Sequence, residues 1–266
     1  MIARHGLAAR HSLGQHFLLD ANLIARIVRG AGNLSGRNVI EVGPGPGGLT
    51  RALLDSAAAN VTAIEIDTRA VAAIRELADQ SGGRLHLIEA DALTIDLTDI
   101  TQSPRQIVSN LPYNIATPLL IGWLRQAASF EQMILMFQQE VAERICAAPG
   151  SAAYGRLSVL AQWLCRTEIV TRIPPAAFVP PPKVWSAVVR LMPRPDQPAQ
   201  SRIRVMERLT AAAFGQRRKM LRSSLRALGG EALLVAEAIA PDRRAETLTV
   251  SDYARLSQRL DESEQR

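Results

Sequence analysis

The sequence has 266 residues, 47% of them hydrophobic, and 31 basic against 25 acidic side chains give a formal net charge of +6. This composition excludes a disordered chain and has room for one domain with an appendage or for two small domains. The only cysteines, Cys146 and Cys165, are far apart and in no metal-ligand spacing, so we expect reduced thiols, no metal site and a cytoplasmic location. No stretch is apolar enough for a signal peptide or a membrane span, so we expect a soluble protein that is not exported.

The positive charge is almost entirely arginine, because the only lysines are Lys183 and Lys219. The planar guanidinium fork suits phosphate groups, and the positive net charge makes an anionic partner plausible. A GC-rich genome would produce the same arginine bias. Arginine content alone therefore does not identify a partner.

The first two thirds of the sequence alternates short apolar runs with amphipathic segments. Asp20 is predicted to cap a helix over residues 21–32. Predicted strands then cover residues 38–43, 61–67, 84–91, 105–113 and 132–138, and predicted helices cover 47–57, 68–80, 117–127 and 139–148. This alternation predicts an α/β fold, a parallel sheet with helices on both faces that binds its ligand at the carboxyl ends of the strands.

The pattern changes in the last third of the chain. A proline-rich stretch over residues 172–200 encloses one more predicted strand, 184–191. Beyond it only helices are predicted, over residues 203–214, 217–228, 230–240 and 250–260. We therefore predict a first domain over residues 1–195 and a small all-α C-terminal domain over residues 196–266.

A glycine loop follows the first predicted strand of this sheet, in the stretch "VIEVGPGPGGLT". Gly43 and Gly45 let a ligand approach the backbone closely, and Glu65 ends the next strand. A carboxylate at that position accepts hydrogen bonds from ribose hydroxyls, whether the nucleoside belongs to NAD or to S-adenosylmethionine. Glu41 and Asp91 add two acids near the loop, and acids suit a cationic sulfonium better than a pyrophosphate. Either acid alone is more simply explained as a helix cap or a solvated loop residue.

The tetrad Asn110-Leu111-Pro112-Tyr113 ends the fourth predicted strand, at the edge where such a sheet presents its ligand. The adenine amino nitrogen is a poor nucleophile because its lone pair is delocalised into the ring. The Asn110 side-chain oxygen and the Leu111 carbonyl, left without a partner by Pro112, can accept its hydrogens. Tyr113 can stack on an extruded base. These residue types indicate methyl transfer to a base amine, with no metal or covalent intermediate.

Nine ordered blocks of the sequence resemble the ribosomal RNA adenine N6,N6-dimethyltransferases, in particular the small-subunit enzymes. The blocks are "LGQHFL" (13–18), "EVGPGPGGLT" (41–50), "EID" (65–67), "EADAL" (89–93), "SNLPYNIATPLL" (109–120), "QQEVAERI" (138–145), "YGRLSVLAQ" (154–162), "FVPPPKVWSAVVRL" (178–191) and "FGQRRKMLRSSL" (214–225). The resemblance implies a Rossmann-like methyltransferase sheet that uses S-adenosylmethionine. It also implies dimethylation of two adjacent adenosines in a hairpin loop near the 3′ end of 16S ribosomal RNA, during assembly of the 30S particle.

The resemblance also assigns site residues by position. It implies that the cofactor is lined by His16, Leu18, Gly43, Glu65, Asp91 and Asn110, and that Asn110 and Tyr113 face the target base. Phe178 corresponds to a residue that the family uses against that base, although a loop aromatic covering the core is an equally good interpretation. Two positions depart from the family pattern: His16 stands where asparagine is usual, and Trp185 stands where aspartate is common.

The block "FGQRRKMLRSSLRAL" is predicted to be one helix that carries a basic ridge. Arg218, Arg222 and Arg226 recur at four-residue spacing, opposite Leu221 and its apolar neighbours. A solvated charged face is the general expectation for such a helix, but the resemblance favours RNA. We therefore predict that Arg217, Arg218, Lys219 and Arg222 contact RNA phosphates, with salt-dependent binding.

The leading hypothesis is therefore a monomeric RNA adenine dimethyltransferase. Alternatives are a large-subunit adenine methyltransferase of the antibiotic-resistance kind, a ribosome-assembly factor whose methylation is secondary, and a non-catalytic RNA binder. A dehydrogenase would share the glycine loop, but no hydride-transfer site can be identified in the sequence.

Overall fold

The computed structural model describes residue 7, residues 15–216 and residues 218–265. The strands are β1 (Phe17–Leu18), β2 (Asn38–Val42), β3 (Asn60–Glu65), β4 (Leu85–Glu89), β5 (Arg105–Asn110), β6 (Gln132–Gln138), β7 (Cys165–Ile173), β8 (Phe178–Val179) and β9 (Ser186–Pro193). The helices are α1 (Ala21–Gly30), α2 (Gly48–Leu54), α3 (Thr68–Asp79), α4 (Leu97–Ile100), α5 (Tyr113–Leu124), α6 (Gln139–Ile145), α7 (Arg156–Leu164), α8 (Gln200–Phe214), α9 (Leu221–Ser224), α10 (Gly230–Ala236) and α11 (Val250–Glu264). Within these described ranges, no helix is both long and apolar enough to cross a membrane.

The main sheet has seven strands in the order β4-β3-β2-β5-β6-β9-β7. Strands β4, β3, β2, β5 and β6 run parallel, whereas β9 pairs antiparallel with β6. The strands predicted to be parallel are therefore parallel, and the sheet is mixed because β9, whose orientation the sequence did not predict, runs antiparallel to β6. A separate two-stranded antiparallel pair joins β1 to β8.

The strand order reverses between β2 and β5, and the two strands separate near their carboxyl ends. Their pairing ends at Ile40 and Ile107, while β2 continues to pair with β3 up to Val42. The Ser109 hydroxyl donates to the Val42 carbonyl at 2.6 Å beyond the last ladder pair. Such a switch point is where open α/β sheets bind ligands.

Side-chain caps fix the start of the helices that surround this point. The Asp20 carboxylate accepts from the backbone N–H groups of Asn22 and Leu23 at 2.8 and 3.1 Å, as predicted. Asp67 caps α3 by accepting from the N–H of Arg69 at 3.1 Å. The adjacent Arg69 guanidinium lowers the pKa of Asp67 to about 2. These caps hold α1 and α3 beside the glycine loop.

The chain forms two compact units. The first is Met1–Ala142 with Glu168–Pro193, of which residues 7, 15–142 and 168–193 are described, and it contains the sheet except for the first three residues of β7. The second is Glu143–Thr167 with Arg194–Arg266, described except for Arg217 and Arg266. The break at residue 193 lies close to the predicted one at residue 195. Residues 143–167 belong to the second unit, however, and the sequence had placed them in the first.

An aromatic cluster explains why that segment belongs with the C-terminal helices. The ring of Phe214 lies edge-on to Tyr154 at 6.1 Å and stacks on Tyr253 at 5.7 Å. Tyr154 and Tyr253 are completely buried. Aromatic rings bury more surface than other side chains, so this cluster joins α7, α8 and α11 into one core.

The predicted helix over residues 217–228 is wrong as one continuous element. Helix α8 ends at Phe214, the chain turns, and a new short helix begins at Leu221. The N–H groups of Leu221 and Arg222 donate to the carbonyls of Arg243 and Pro241, at 2.8 and 3.1 Å. These long-range hydrogen bonds hold the segment in place of helix continuation.

Candidate active site

A cavity opens at the carboxyl ends of β2, β3 and β5 in the first unit. It is lined by Gln15, His16, Phe17, Leu18, Ile24, Glu41, Gly43, Pro44, Gly45, Pro46, Gly48, Leu49, Glu65, Ile66, Asp91, Leu93, Asn110, Leu111, Pro112, Tyr113, Asn114 and Ile115. Every residue that the sequence analysis assigned to the cofactor or to catalysis therefore lines this one cavity. They meet here because parallel strands end at the same edge of the sheet.

Two glycines of the loop lie in the cavity wall and leave no room for a side chain. Gly43 and Gly45 have positive φ angles of 70° and 53°. A Cβ atom at Gly43 would lie 3.2 Å from the ring of Pro112, and one at Gly45 would lie 3.1 Å from the ring of Phe17. Because these two residues have no side chains, the loop packs against both the tetrad and β1. Its backbone then forms a concave surface at the start of α2, here called the cradle.

Glu65 is held by three backbone N–H groups. One carboxylate oxygen accepts from Ile66 and Asp67, each at 2.9 Å, and the other accepts from Gly45 at 3.2 Å. Burial raises the pKa of Glu65, while these hydrogen bonds act in the opposite direction. The oxygen that faces Gly45 has one described donor, so it retains capacity to accept from a ligand hydroxyl.

Glu41 is buried at 2% exposure on β2, beside the cavity. Burial raises its pKa to about 8; the Thr50 hydroxyl acts to lower it and the negative charge of Glu65 adds to the increase. Its Oε2 atom has no hydrogen-bond partner among the described residues. A buried carboxyl group without a partner costs free energy, and a cation in the cavity would relieve that cost.

Asp91 combines a structural contact with a position in the cavity wall. One of its carboxylate oxygens accepts from the N–H of Leu93 at 2.9 Å, which shapes the turn after β4. Leu93 and Ile66 both line the cavity although their side chains are about half exposed. The sequence analysis missed these two apolar residues. Their signal was their position just after the strand-ending acids: Ile66 follows Glu65 directly, and Leu93 lies two residues after Asp91.

Asn110 faces the N-terminal segment of the described chain. Its side-chain nitrogen donates to the His16 carbonyl at 3.5 Å, which leaves the side-chain oxygen as the group that can accept from another molecule. The His16 ring donates through Nδ1 to the Pro180 carbonyl at 2.9 Å. His16 therefore contributes its backbone to Asn110 and its imidazole to a neighbouring loop.

Tyr113 begins α5 and is fixed by its hydroxyl group, which lies 2.5 Å from the hydroxyl of Ser186. Burial raises the pKa of Tyr113, so the phenol stays protonated at neutral pH. The Tyr113 and His16 rings lie 5.5 Å apart with a tilt of 31°. The two rings form one aromatic wall at the mouth of the cavity.

Phe178 does not line the cavity. Its side chain is 2% exposed and packs in the core with Leu18 and Ile24, and its backbone pairs with Leu18 in the β1–β8 pair. The buried ring agrees with the interpretation of Phe178 as an aromatic that covers the core, and its contact with the target base stays a prediction. Its adjacent backbone supports β1.

The basic residues predicted to contact RNA lie in the second unit. Arg217 is outside the described residues. Arg218, Lys219, Arg222 and Arg226, here named the basic segment, are exposed, and in the part of the chain that the structure describes none of them forms an ion pair. Other arginines of this unit are paired with acids: Arg208 with Glu264, Arg243 with Asp252, Arg255 with Asp252 and Glu237, and Arg259 with Glu237.

The charge of the cavity decides which ligand it suits. Glu41, Glu65 and Asp91 line it, and among the described residues no lysine or arginine does. An acidic lining disfavours the pyrophosphate of a dinucleotide and favours a cationic ligand. The described residues also contain no cluster of three His, Cys, Asp or Glu side chains that could hold a metal ion.

Comparison with known proteins agrees with this geometry. Residues 6–262 match the family model described as ribosomal RNA adenine dimethylase. The chain is 60% identical over 257 residues to the ribosomal RNA small subunit methyltransferase A of Gluconobacter oxydans, covering 97% of this chain and 85% of that protein. It is 55% identical to the protein of the same name from Rhodospirillum rubrum, covering 98% and 91%.

Two solved structures share the fold. The crystal structure of a dimethyladenosine transferase from Plasmodium falciparum has a TM-score of 0.78 at 24% identity, covering 94% of this chain and 98% of that one. The 23S rRNA methyltransferase ErmE has a TM-score of 0.69 at 29% identity, covering 92% and 99%. Fold and cavity thus define a Rossmann-like methyltransferase. The chain belongs to the ribosomal RNA adenine dimethylase family.

Proposed function

We propose that this protein uses S-adenosylmethionine to dimethylate the N6 amino groups of two adjacent adenosines, in a hairpin loop near the 3′ end of 16S ribosomal RNA. The observation that carries the proposal is the cavity at the β2–β5 switch point, which combines three acids, no described basic side chain and the tetrad Asn110-Leu111-Pro112-Tyr113. The relatives at 55 to 60% identity are named as small subunit methyltransferases, which favours the small subunit over the large one.

The residues of the cavity fit the cofactor. At Gly43 and Gly45 no side chain prevents the cofactor from approaching the protein backbone closely. Glu65 is placed to accept hydrogen bonds from the ribose hydroxyls of the cofactor. Ile66 and Leu93 offer apolar surface to a purine ring, next to Asp91 for its amino group. The Glu41 Oε2 atom has no partner among the described residues, and a bound cation would favour the carboxylate over the protonated form. When bound, S-adenosylmethionine supplies a methyl group on a positively charged sulfur.

The tetrad prepares the amine that accepts the methyl group. The Asn110 oxygen and the Leu111 carbonyl accept the two amino hydrogens, which weakens conjugation of the lone pair with the ring and directs it into the cavity. Because Asn110 is tied to the His16 backbone, its amide is oriented before the base arrives. Tyr113, fixed through Ser186, stacks on the face of the extruded base.

The second unit contributes positive charge for the RNA backbone. Residues of the basic segment are exposed and without described ion pairs, so they can approach phosphates without breaking existing salt bridges. We assign this unit as the RNA-binding domain and the first unit as the catalytic domain. The protein acts as a monomer in the cytoplasm, on assembling 30S particles.

Isotope transfer tests this function directly. Purified protein is incubated with methyl-labelled S-adenosylmethionine and small subunits that lack the modification, and the RNA is digested to nucleosides. We expect the label in N6,N6-dimethyladenosine at two adjacent positions. Label in large-subunit RNA alone, or in no RNA, would contradict the proposal. Intact large subunits serve as the matched control.

A further inference from the structure

A loop, residues 180–185, connects β8 to β9, and hydrogen bonds at its two ends join it to His16 and Tyr113 of the cavity wall. It contains Lys183, Val184 and Trp185, all exposed, and the Trp185 side chain is 49% exposed. The neighbouring Val179 is also exposed. A half-exposed indole leaves a large apolar surface in water, and such surfaces mark binding sites. Three observations relate this indole to the cavity.

The first two observations concern the ends of the loop, which are attached to the aromatic wall of the cavity. At one end the Pro180 carbonyl accepts from the His16 ring at 2.9 Å. At the other end Ser186, which follows Trp185 directly, shares a 2.5 Å hydrogen bond with Tyr113. The loop is thus joined to both rings that frame the cavity mouth.

The third observation is that the Trp185 backbone is itself fixed. Its carbonyl accepts from the N–H of Gln139 at 2.8 Å, and Ser186 is paired with Gln138 across the β6–β9 ladder. The exposed indole is therefore attached to an immobilised backbone at the edge where β6 ends. A ring that is already positioned loses less entropy when it stacks on a ligand.

We propose that Trp185 stacks on the base next to the adenosine held in the cavity, and that Lys183 pairs with an adjoining phosphate. This proposal rests on the proposed function. It adds a contact with a second base of the RNA, distinct from the target adenine. A base extruded from its neighbours leaves an unstacked base face behind, and an exposed indole replaces the lost stacking. The cation beside it supplies the backbone contact that single-stranded RNA requires.

Tryptophan fluorescence reads this contact. The chain has three tryptophans: Trp123 is buried, Trp163 is partly exposed in the second unit, and Trp185 is exposed. On titration with the small-subunit RNA hairpin, stacking quenches indole emission. We expect the quenching to persist in Trp163→Phe and to disappear in Trp185→Phe. Quenching that survives in Trp185→Phe, or that disappears in Trp163→Phe, would overturn the proposal.

Enzyme kinetics and a modified RNA distinguish the loss of a stacking contact from misfolding of the variant. We expect Trp185→Ala to raise KM for RNA roughly 10-fold, with kcat and KM for the cofactor unchanged, and Trp185→Phe to restore most of the loss. An abasic site beside the target adenosine should weaken binding to the wild type but not weaken Trp185→Ala further. An unchanged KM for RNA in Trp185→Ala, or additive effects of variant and abasic site, would exclude the contact.

The two proposals can fail separately. If the wild type methylates small subunits and Trp185→Ala does so with the same KM, the stacking contact is wrong and the proposed function stands. If the wild type leaves small subunits unmethylated, the proposed function fails and the contact falls with it. The unfolding midpoint of Trp185→Ala should match that of the wild type, because the side chain is half exposed.

Discussion

The buried Glu41 carboxyl should make the ligand-free protein less stable as pH rises. The substitution Glu41→Gln should remove this part of the pH dependence. Its pKa is raised from 4.5 to about 8 by burial in the folded protein. Between these values the folded chain keeps a proton that the unfolded chain releases. Folding therefore becomes less favourable as pH rises through this window. A carboxyl group whose pKa is lowered on folding would have the opposite effect.

The magnitude follows from the size of the shift. Each pH unit between the two pKa values changes the free energy of unfolding by about 1.4 kcal/mol. Glu41→Gln keeps the shape of the protonated carboxyl but cannot ionise. We expect the variant to be more stable than the wild type, and the difference in unfolding free energy to widen by roughly 3 kcal/mol between pH 5 and pH 8.

Urea unfolding at pH 5, 6.5 and 8 measures this difference. Since the chain has two compact units, the reporter should belong to the first one, and buried Trp123 serves in a background with Trp163→Phe and Trp185→Phe. Glu89→Gln is the matched control, because Glu89 is exposed at the end of β4, and its profile should parallel the wild type. If the unfolding free energy of Glu41→Gln also varied with pH in parallel with the wild type, the reasoning would be refuted.

Three further variants test the remaining parts of the proposed function. Asn110→Ala should abolish methylation while RNA affinity stays largely intact, because the amide acts on the amine and not on the RNA backbone. Replacing Arg218 and Arg222 by glutamine should weaken RNA binding and flatten the log–log salt dependence by about 0.7 to 0.9 per lost phosphate contact. Gly43→Ala should cost about 1 to 3 kcal/mol of stability and weaken cofactor binding, since φ is 70° and the new Cβ would lie 3.2 Å from Pro112.

Each of these has a control in the same chain. For Asn110→Ala, RNA affinity and cofactor affinity are measured alongside turnover, and undiminished turnover would exclude the role given to the amide. Arg208→Gln removes the same charge from a residue already paired with Glu264, so its salt slope should match the wild type. Gly82→Ala has a similar φ of 63° but open space around the Cβ, so it should cost stability without affecting the cofactor. Equal cofactor affinities for both glycine variants would show that contact with Pro112 is unimportant.

Local patterns in the sequence were sufficient for most elements of the first unit. The predicted strand over residues 132–138 has the same bounds in the structure, and the others agree within a few residues at their ends. Alternating apolar runs and a capping residue such as Asp20 act over a few positions, so they are visible in the sequence. Helices α4 and α7 and strands β1, β7 and β8 were missed. Strands β1 and β8 have two residues each and pair with each other across the chain, so no local pattern reveals them.

The positions around the ligand also followed from sequence, since consecutive parallel strands end at one edge and bring Gly43, Glu65, Asp91 and Asn110 together. What the tertiary structure alone decided is how each group is used. Long-range contacts break the basic helix at Met220, turn Phe178 into the core and fix the backbone of Trp185 against β6. They also bury Glu41 so that its Oε2 atom has no hydrogen-bond partner among the described residues. The physical reason is that burial, pairing and charge depend on neighbours far along the chain, whereas periodicity and capping depend only on neighbours close in sequence.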